Sequence, residues 1–419
     1  MKNVFKSVLW SCAMAATVFM YACDNEDEPV AFTLVSLTAG DIDLNGATTA
    51  TGVPADASIV ATFSKEVSAS DLEITLLQDY DNANFTINTS VDGTTVTITS
   101  EGLGSGALYE LNLAKVVAAD GDVLPATART FSTAGFFVPA GTFAYWPFDG
   151  DANDAIGTFD PTASGVVALS FGADPTGAAN KAAVFDGDAT IVEIPNGDQL
   201  MNTSDFTISF WVKASSDHTD ANGNPAGHFV LGLGAFYGMQ FEIPGDFGSC
   251  KLAGRYELGN GETASEDLWF PGNGQDKDNG GWQGWDFVKD LTTTGGVAGL
   301  LKDKWAHVVC MYDGTTKKGT MYINGELMKS QDFNLWPEGD AKRTVVGMKY
   351  GGIEPDVVNE LAFGFIQSRA GTMWDAEPWG GYDFPTSNHF KGSLDEVRIF
   401  HKPLTADEIR LMYESVAGN

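Results

Sequence analysis

Cysteine is scarce in this sequence, and its scarcity excludes several classes of protein. Four cysteines in 419 residues are too few for the dense disulfide framework of small secreted domains. The Cys and His residues also show no zinc-site spacing. Two cysteines, Cys250 and Cys310, lie in the body of the chain. We expect buried free thiols there, with a disulfide between them as the alternative in an oxidising compartment.

Basic residues are also few. The chain has 24 Lys and Arg against 56 Asp and Glu, a formal net charge of -32 at pH 7. Without residues 1–22, which include Lys2 and Lys6, 22 basic residues remain against 56 acidic ones, or -34. The negative electrostatic potential of such a protein repels nucleic acid and anionic lipid, so we expect neither as a partner. The sequence also has no phosphate-binding loop and no Gly-x-Ser-x-Gly nucleophile motif.

The residues that are abundant predict an all-β protein. Hydrophobic residues make up 43% of the chain and aromatic residues 11%, enough for sizeable cores. The 48 glycines separate many short runs rich in Thr, Val and Ile, whereas helical periodicity is scarce. The length favours two or three domains over one.

Residues 8–22 form an apolar run that is too short and wrongly flanked for a membrane-spanning helix. The run ends at Met20-Tyr21-Ala22-Cys23. A small residue before cysteine resembles the lipobox of bacterial lipoproteins, although Met20 stands where leucine is more typical. The resemblance implies that residues 1–22 are a signal peptide and that Cys23 becomes the acylated first residue of the mature chain. Several acyl chains on one residue anchor a protein far more firmly than a single chain.

An acidic run, Asp24-Asn25-Glu26-Asp27-Glu28-Pro29, follows Cys23 directly. It resembles the export signal of Gram-negative lipoproteins that reach the outer face of the outer membrane. The resemblance implies a lipid-anchored outer-membrane protein exposed at the cell surface, with residues 23–30 as its tether. An ordinary solvated tether is the alternative.

Residues 31–135 predict a small β-sandwich. Ile59, Ala61 and Phe63 alternate along one predicted strand, and a turn at Asp92-Gly93 leads into another. Short strands with turn signals at such intervals are typical of an immunoglobulin-like sandwich. The order of the segments ASIVATFSKEV, DGTTVTIT, ALYELNL and RTFSTAG resembles the bacterial Ig-like spacer domains of cell-surface proteins. That resemblance implies a stalk that positions another domain.

Residues 304–326, KWAHVVCMYDGTTKKGTMYINGE, predict two strands joined at Asp313-Gly314, with a second turn at Asn324-Gly325. Asp-Gly and Asn-Gly tolerate the positive φ that tight turns demand. The segment resembles the central hairpin of the LamG-like (concanavalin A-like) jelly-roll family. The resemblance extends over residues 136–419 and implies two antiparallel sheets over one core, with the last strand near the first. Further blocks in the family's order are Phe143–Phe148, Phe185–Gly187, Phe206–Val212 and Phe390–Phe400.

One helix is predicted at the end of the sequence. Thr405 is its cap, and Glu408, three residues on, is the capping-box partner. On the strands that follow the family pattern, Trp211, Trp305 and His307 are predicted to pack in the core.

Aromatic residues also cluster in two stretches that exceed what the family pattern needs, Val212–Leu301 and Gly351–His389. Long loops inside a compact domain tend to be functional. Aromatic rings among Gly, Asn and Asp suit carbohydrate, because a flat ring stacks on the apolar face of a pyranose while polar side chains bind its hydroxyls. The alternative for each ring is that it packs in a small hydrophobic core that holds the insertion together. The predicted glycan-binding residues are Trp269, Trp282, Trp285, Trp374, Trp379, Tyr382 and His389.

A structural calcium ion is predicted beside the first strand of the jelly roll. Asp149, Asp151 and Asn153 place hard oxygen donors at alternate positions, as at the start of a calcium loop. Asp154 stands where an EF-hand requires glycine, which excludes that motif. Jelly rolls that resemble this one often hold Ca²⁺ near the first and last strands, which would add Asp395. Acidic turn residues without an ion are the alternative.

The carboxylate pattern does not predict an enzyme. Glucanases on the concanavalin A-like scaffold carry Glu-x-Asp-x-Glu or Glu-x-Asp-x-x-Glu, and alternate positions face the same sugar. Neither spacing occurs in residues 136–419. We therefore predict non-catalytic glycan binding by a surface lipoprotein. A protein-binding adhesin or assembly component is one alternative. A glycoside hydrolase whose two catalytic carboxylates come from separate loops, such as Glu377 with Asp286, is another.

Overall fold

The structure, a computed structural model, describes residues 31–46, 49–80, 82–179, 181–272 and 284–417. The predictions for the signal peptide, the acidic tether, Cys23 and Trp282 lie outside these ranges. Within them, no helix combines the length and the hydrophobicity needed to cross a bilayer.

The first ten strands form two five-stranded sheets, in the orders β2-β1-β4-β8-β7 and β3-β10-β9-β5-β6. Nearly all their pairings are antiparallel, and β10 additionally runs parallel to β3. The strands are β1 (Leu34–Ala39), β2 (Ile42–Asp43), β3 (Ala50–Val53), β4 (Ile59–Phe63), β5 (Val67–Gln78), β6 (Asn84–Phe85), β7 (Ile87–Asp92), β8 (Thr95–Ser100), β9 (Leu108–Ala118) and β10 (Thr127–Thr133).

Sequence alternation explains how this first sandwich buries its core. Ile59, Ala61 and Phe63 on β4 are buried, while the residues between them are half-exposed. Tyr109 and Leu111 on β9 follow the same pattern. Successive side chains of a strand point to opposite faces, so this pattern gives each sheet one apolar face. The predicted sandwich is therefore confirmed.

The remaining seventeen strands form two larger sheets. One has the order β13-β14-β27-β16-β22-β23-β24-β21, with β11 also paired to β27, and the other has the order β12-β15-β26-β17-β18-β19-β20, with β25 also paired to β19. The pairing of β11 with β27 places the last strand beside the first, as the jelly-roll resemblance implied. The strands are β11 (Thr142–Trp146), β12 (Val166–Val167), β13 (Ser170–Gly172), β14 (Ala182–Asp186), β15 (Ile191–Ile194), β16 (Phe206–Ala214), β17 (His228–Gly232), β18 (Met239–Ile243), β19 (Cys250–Glu257), β20 (Thr263–Phe270), β21 (Trp285–Val288), β22 (Ala306–Asp313), β23 (Lys318–Ile323), β24 (Glu326–Asp332), β25 (Gly347–Met348), β26 (Leu361–Phe363) and β27 (Lys391–Phe400).

The central hairpin forms with one correction. Asn324 and Gly325 both have positive φ, 54° and 77°, and make the predicted two-residue turn between β23 and β24. The turn between β22 and β23 is longer than Asp313-Gly314, because β23 begins only at Lys318. Its left-handed residue is Lys317, with φ 57°, and the Asp313 carboxylate accepts backbone N–H bonds from the loop. The two strands therefore meet through a capped loop.

The structure has two α-helices within the described residues, α1 (Ala298–Leu301) and α2 (Ala406–Ala417). The capping box that opens α2 is confirmed: the Thr405 N–H donates to Glu408 at 2.8 Å, and the Glu408 N–H donates to the Thr405 hydroxyl at 3.1 Å. Helix α2 covers the outer face of the first jelly-roll sheet, where Tyr413 stacks on Trp211 with ring centroids 5.8 Å apart. This cover explains why β22 is buried on both faces.

Two further packing predictions have different outcomes. His307 is buried and its Nε2 lies 2.8 Å from the Ser209 hydroxyl, so its predicted packing role is confirmed. Trp305 is only half-buried, which corrects its assignment to the core. Cys250 and Cys310 are buried free thiols, as expected.

The long segment from Val212 to Leu301 is not a set of loops, which corrects the sequence-based interpretation. It supplies β17 to β20, four neighbouring strands of the second jelly-roll sheet. Tyr256 is buried on β19. Strand β17 is buried on both faces and shows no alternation, whereas β18 does alternate, with Met239, Phe241 and Ile243 separated by Gln240 and Glu242.

Candidate functional site

The candidate site is a groove on the outer face of the second jelly-roll sheet, with a cavity volume of about 760 Å³. The insertion that follows β25 covers one half of this face, where Phe365 and Ile366 pack against Ile191, Phe229 and Ala362. The other half, formed by β18, β19 and β20, stays open and forms the floor of the groove.

Four predicted tryptophans line this groove together. Trp269 lies on the outer face of β20, and Trp285 begins β21 in the opposite sheet. Trp374 and Trp379 come from the covering insertion, and their ring centroids are 5.4 Å apart. Trp269 and Trp379 are 38% and 39% exposed, so both present ring surface to solvent. The structure thus brings together residues that are separated by up to 110 positions in the sequence.

Tight turns in the insertion set the positions of its two tryptophans. The Glu377 N–H donates to the Trp374 carbonyl at 2.9 Å, and the Asn388 N–H donates to the Trp379 carbonyl at 3.1 Å. Gly380 packs so closely that a Cβ there would lie 3.0 Å from the Trp374 Cβ. A larger residue at position 380 would therefore require Trp374 to shift by a few tenths of an ångström.

Phe236 also lines the groove, although the sequence did not single it out as a binding residue. Its ring lies 5.6 Å from that of Trp374 in an edge-to-face arrangement, and it is 38% exposed. Its neighbours Gly234 and Ala235 both have positive φ. This strained turn after β17 is a local signal that could have marked the position.

Tyr382 and His389 do not line the groove, so the structure does not bring these two predicted binding residues together with the four tryptophans. The Tyr382 hydroxyl donates to the Ala189 carbonyl at 2.6 Å. His389 is buried, its Nε2 lies 2.8 Å from the Tyr382 carbonyl, and its ring stacks on Phe365 at 4.3 Å. These two residues support the insertion from behind.

Three carboxylates in the groove form ion pairs. Lys251 on β19 bridges Glu242 at 3.2 Å and Asp267 at 3.1 Å across neighbouring strands. Glu266, which is buried, pairs with Lys342 at 2.5 Å and accepts a bond from Gln331 at 3.0 Å. Burial raises the pKa of Glu266, although Lys342 opposes that shift.

Lys329 differs from the other groove lysines. It is only 4% exposed, and its Nζ donates to the Pro271 carbonyl at 3.0 Å. Nζ also lies 4.1 Å from the centroid of the Trp285 ring, a cation–π distance. Burial lowers the pKa of Lys329 to about 8. The sequence offered one signal, a lysine that directly follows the apolar pair Leu327-Met328 on a strand.

The predicted calcium ligands have different surroundings. Asp149 pairs with Lys181 at 2.8 Å, and Asp151 accepts the Asn153 N–H at 2.9 Å. Among the described residues, no group of three or more His, Cys, Asp or Glu side chains is arranged to hold a metal. Asp395 is nevertheless 3% exposed, and no hydrogen-bond partner for its Oδ1 lies in the described part of the chain.

The acidic loop of residues 149–154 has its own organising residue. The buried Asp154 carboxylate accepts four backbone N–H bonds, including those of Tyr145 at 2.8 Å and Phe159 at 3.0 Å. Three predicted ligands, Asp149, Asp151 and Asn153, thus lie in a loop where Asp149 pairs with Lys181 and Asp151 accepts the Asn153 N–H, while Asp395 has a buried oxygen without a hydrogen-bond partner among the described residues. The calcium site stays a prediction.

Two protein families match this chain. Residues 42–133 match the family described as bacterial Ig-like domain, and residues 186–357 match the concanavalin A-like lectin/glucanases superfamily. The protein therefore consists of a bacterial Ig-like domain followed by a concanavalin A-like domain. No curated protein matches the sequence.

Solved structures with related folds share little sequence with this chain. The botulinum neurotoxin serotype D ligand-binding domain, solved with N-acetylneuraminic acid, is 14% identical, with 65% of this chain and 50% of that one covered and a TM-score of 0.39. Domain 4 of AbnA, a GH43 extracellular arabinanase from Geobacillus stearothermophilus solved with arabinotriose, is 18% identical, with 65% and 98% covered and a TM-score of 0.36. The chain spans about half the length of the neurotoxin domains that it matches.

Proposed function

We propose that the groove of the concanavalin A-like domain binds glycan without hydrolysing it. The observation that carries the proposal is the convergence of Trp269, Trp285, Trp374 and Trp379 on one open groove. Aromatic faces stack on the apolar face of a pyranose, and the amide and charged groups between them can bind its hydroxyls. The Ig-like domain would hold this head away from the membrane.

The carboxylates of the groove support a non-catalytic role. A retaining glycosidase needs two carboxyl groups about 5 Å apart that both face the sugar. Glu266 and Asp267 are neighbours on β20 and point to opposite faces of the strand. Glu242 and Asp267 share Lys251, and Glu266 pairs with Lys342, so each carboxylate is held in an ion pair.

Affinity electrophoresis tests the proposal directly. The protein beginning at Asp24 would be run through gels that contain plant, host or microbial polysaccharides, with and without calcium. We expect at least one polysaccharide to retard it, and the double variant Trp269→Ala/Trp379→Ala to run freely. Phe287→Ala is the matched control, since Phe287 is 41% exposed and lies outside the groove.

Two results would contradict glycan binding through this groove. Retardation that survives the double substitution would place the glycan site elsewhere. If no polysaccharide retards the wild-type protein, glycan binding fails, and a pull-down from outer-membrane extract would test the protein-binding adhesin instead.

We also propose that the protein is anchored in the outer membrane through acylated Cys23 and exposed at the cell surface. The lipobox-like sequence before Cys23 and the acidic run after it support this assignment. Labelled palmitate should enter the wild-type protein and not the Cys23→Ser variant, and protease added to intact cells should digest the wild-type protein. Protection from protease would contradict surface exposure.

A structural Ca²⁺ beside Asp395 is the remaining proposal. The feature that suits a cation is the buried Asp395 Oδ1, which has no hydrogen-bond partner among the described residues, and the charge of Asp149 acts electrostatically on Asp395. The ion would tie the first strand of the jelly roll to the last.

A further inference from the structure

Among the described residues, one lysine of the groove forms no ion pair with a carboxylate. Three lysines line the groove, and within the described chain Lys251 and Lys342 form ion pairs with carboxylates while Lys329 does not. The Nζ of Lys329 instead contacts the Pro271 carbonyl at 3.0 Å and the Trp285 ring at 4.1 Å. Both partners are uncharged.

This arrangement costs free energy in the unliganded protein. A charged group that is nearly buried loses its hydration, and a hydrogen-bonded ion partner is what normally compensates for that loss. Lys329 is 4% exposed, and the depression of its pKa by burial is the sign of incomplete compensation. A neutral residue of similar shape would fill the same space without this cost.

The position of Lys329 gives the charge access to a ligand. Lys329 lies on β24 in one jelly-roll sheet. Its amine contacts the carbonyl of Pro271, which follows β20 of the other sheet and is two residues after Trp269. It lines the same groove as the four tryptophans. A sugar stacked on Trp269 would therefore lie close to an ammonium group that lacks an anionic partner.

We propose that the groove selects a glycan bearing an anionic substituent, a uronate carboxylate or a sulfate ester, and that Lys329 pairs with that anion. This inference rests on the proposed glycan-binding function. Lys251 is shared by Glu242 and Asp267, and Lys342 pairs with Glu266, so these two lysines offset two of the three negative charges of the groove. The acidic surface of the protein, with its net charge of -32, repels polyanions in general, so the pairing with Lys329 has to outweigh that repulsion.

Matched pairs of polymers provide the test. Polygalacturonate would be compared with its methyl ester, and dextran sulfate with dextran, so that only the charge differs within a pair. Binding to the protein beginning at Asp24 would be measured by titration calorimetry. We expect the anionic member of one pair to bind about ten-fold tighter than its neutral counterpart, the effect of one charge-assisted contact. The pair that shows the preference identifies the anion as carboxylate or sulfate.

Two variants assign the preference to Lys329. Lys329→Met should remove the preference for the anionic polymer, so that both members of the pair bind with the same affinity. Lys304→Met is the control: it changes the net charge by the same amount at an exposed lysine outside the groove, and it should keep the preference. Thermal unfolding of both variants shows that they are folded.

The outcomes separate this inference from the function on which it rests. Equal binding of both members of each pair, or a preference that survives in Lys329→Met, overturns the inference and leaves glycan binding intact. A Lys329→Met variant that loses the neutral polymer as well and melts at a lower temperature assigns Lys329 a structural role, which also overturns it. Failure of every polymer in this test and in the wider panel overturns glycan binding itself.

Discussion

The rings of Trp374 and Trp379 lie 5.4 Å apart, inclined by 40°, within one short turn of the insertion that covers the second jelly-roll sheet. Their environments differ. Trp379 is 39% exposed, whereas Trp374 is half-buried and packs its ring against Phe236 and the small core beneath the insertion. One ring is therefore suited to contact a ligand, and the other to hold the wall in place.

This difference predicts a split between two substitutions. Trp379→Ala should weaken glycan binding by about 1–2 kcal/mol, as expected for an aromatic binding residue, and change the melting temperature little. Trp374→Ala should lower both the affinity and the free energy of unfolding, since it removes packed ring surface. Calorimetry and thermal unfolding measure the two quantities, and equal melting temperatures for the two variants would contradict the assignment.

Tyr382 is predicted to act on stability and not on binding. Tyr382→Phe removes the hydrogen bond to the Ala189 carbonyl and should reduce the free energy of unfolding by about 1 kcal/mol. Glycan affinity should change less than two-fold, because the residue lies behind the groove wall. A large loss of affinity with unchanged stability would show that the hydroxyl touches the ligand after all.

The buried histidines predict a loss of stability in acid. Burial lowers the pKa of His307 to about 3, and His228 has the same value for the same main reason. An unfolded histidine takes up a proton near pH 6.5, whereas these two stay neutral in the folded protein. Because the folded pKa is lower, the penalty is absent above pH 6.5 and grows as the pH falls toward 3.

The change with pH should be about 1.4 kcal/mol per pH unit for each histidine across that window. Denaturant unfolding of the wild type and of His307→Gln at pH 7, 5.5 and 4.5 isolates one contribution, because the titrating carboxylates are common to both proteins. The difference in stability between the two proteins should shrink as the pH falls. A difference that stays constant would mean that His307 has the same pKa in the folded and unfolded states.

Calcium removal is the test of the proposed ion beside Asp395. EDTA should lower the melting temperature of the wild-type protein, and added Ca²⁺ should restore it, because a ligand that binds only the folded state stabilises it. Asp395→Asn keeps the shape of the side chain and should abolish the response. A wild-type melting temperature that does not change with EDTA would contradict the proposed calcium site.

The sequence by itself determined the features that depend on short stretches of chain. Asn324-Gly325 specifies a tight turn because both residues tolerate positive φ, and the structure has that turn. Thr405 and Glu408 specify the start of α2 because each caps the other's backbone. Period-two alternation likewise identified β4 and β9 of the Ig-like domain. Local chemistry was sufficient in each case.

The tertiary structure alone decided which residues share the groove. Strand β17 escaped prediction because both of its faces are buried, so that alternation is lost, whereas the alternation of β18 was present in the sequence and was missed. In the sequence, Trp269, Trp379 and Tyr382 are all aromatic residues predicted to bind glycan. Only the packing of the insertion places Tyr382 behind the groove and the two tryptophans in it. Lys329 reaches Pro271 and Trp285 from a different sheet. No local pattern encodes such neighbours, because their proximity arises only when the two sheets pack against each other.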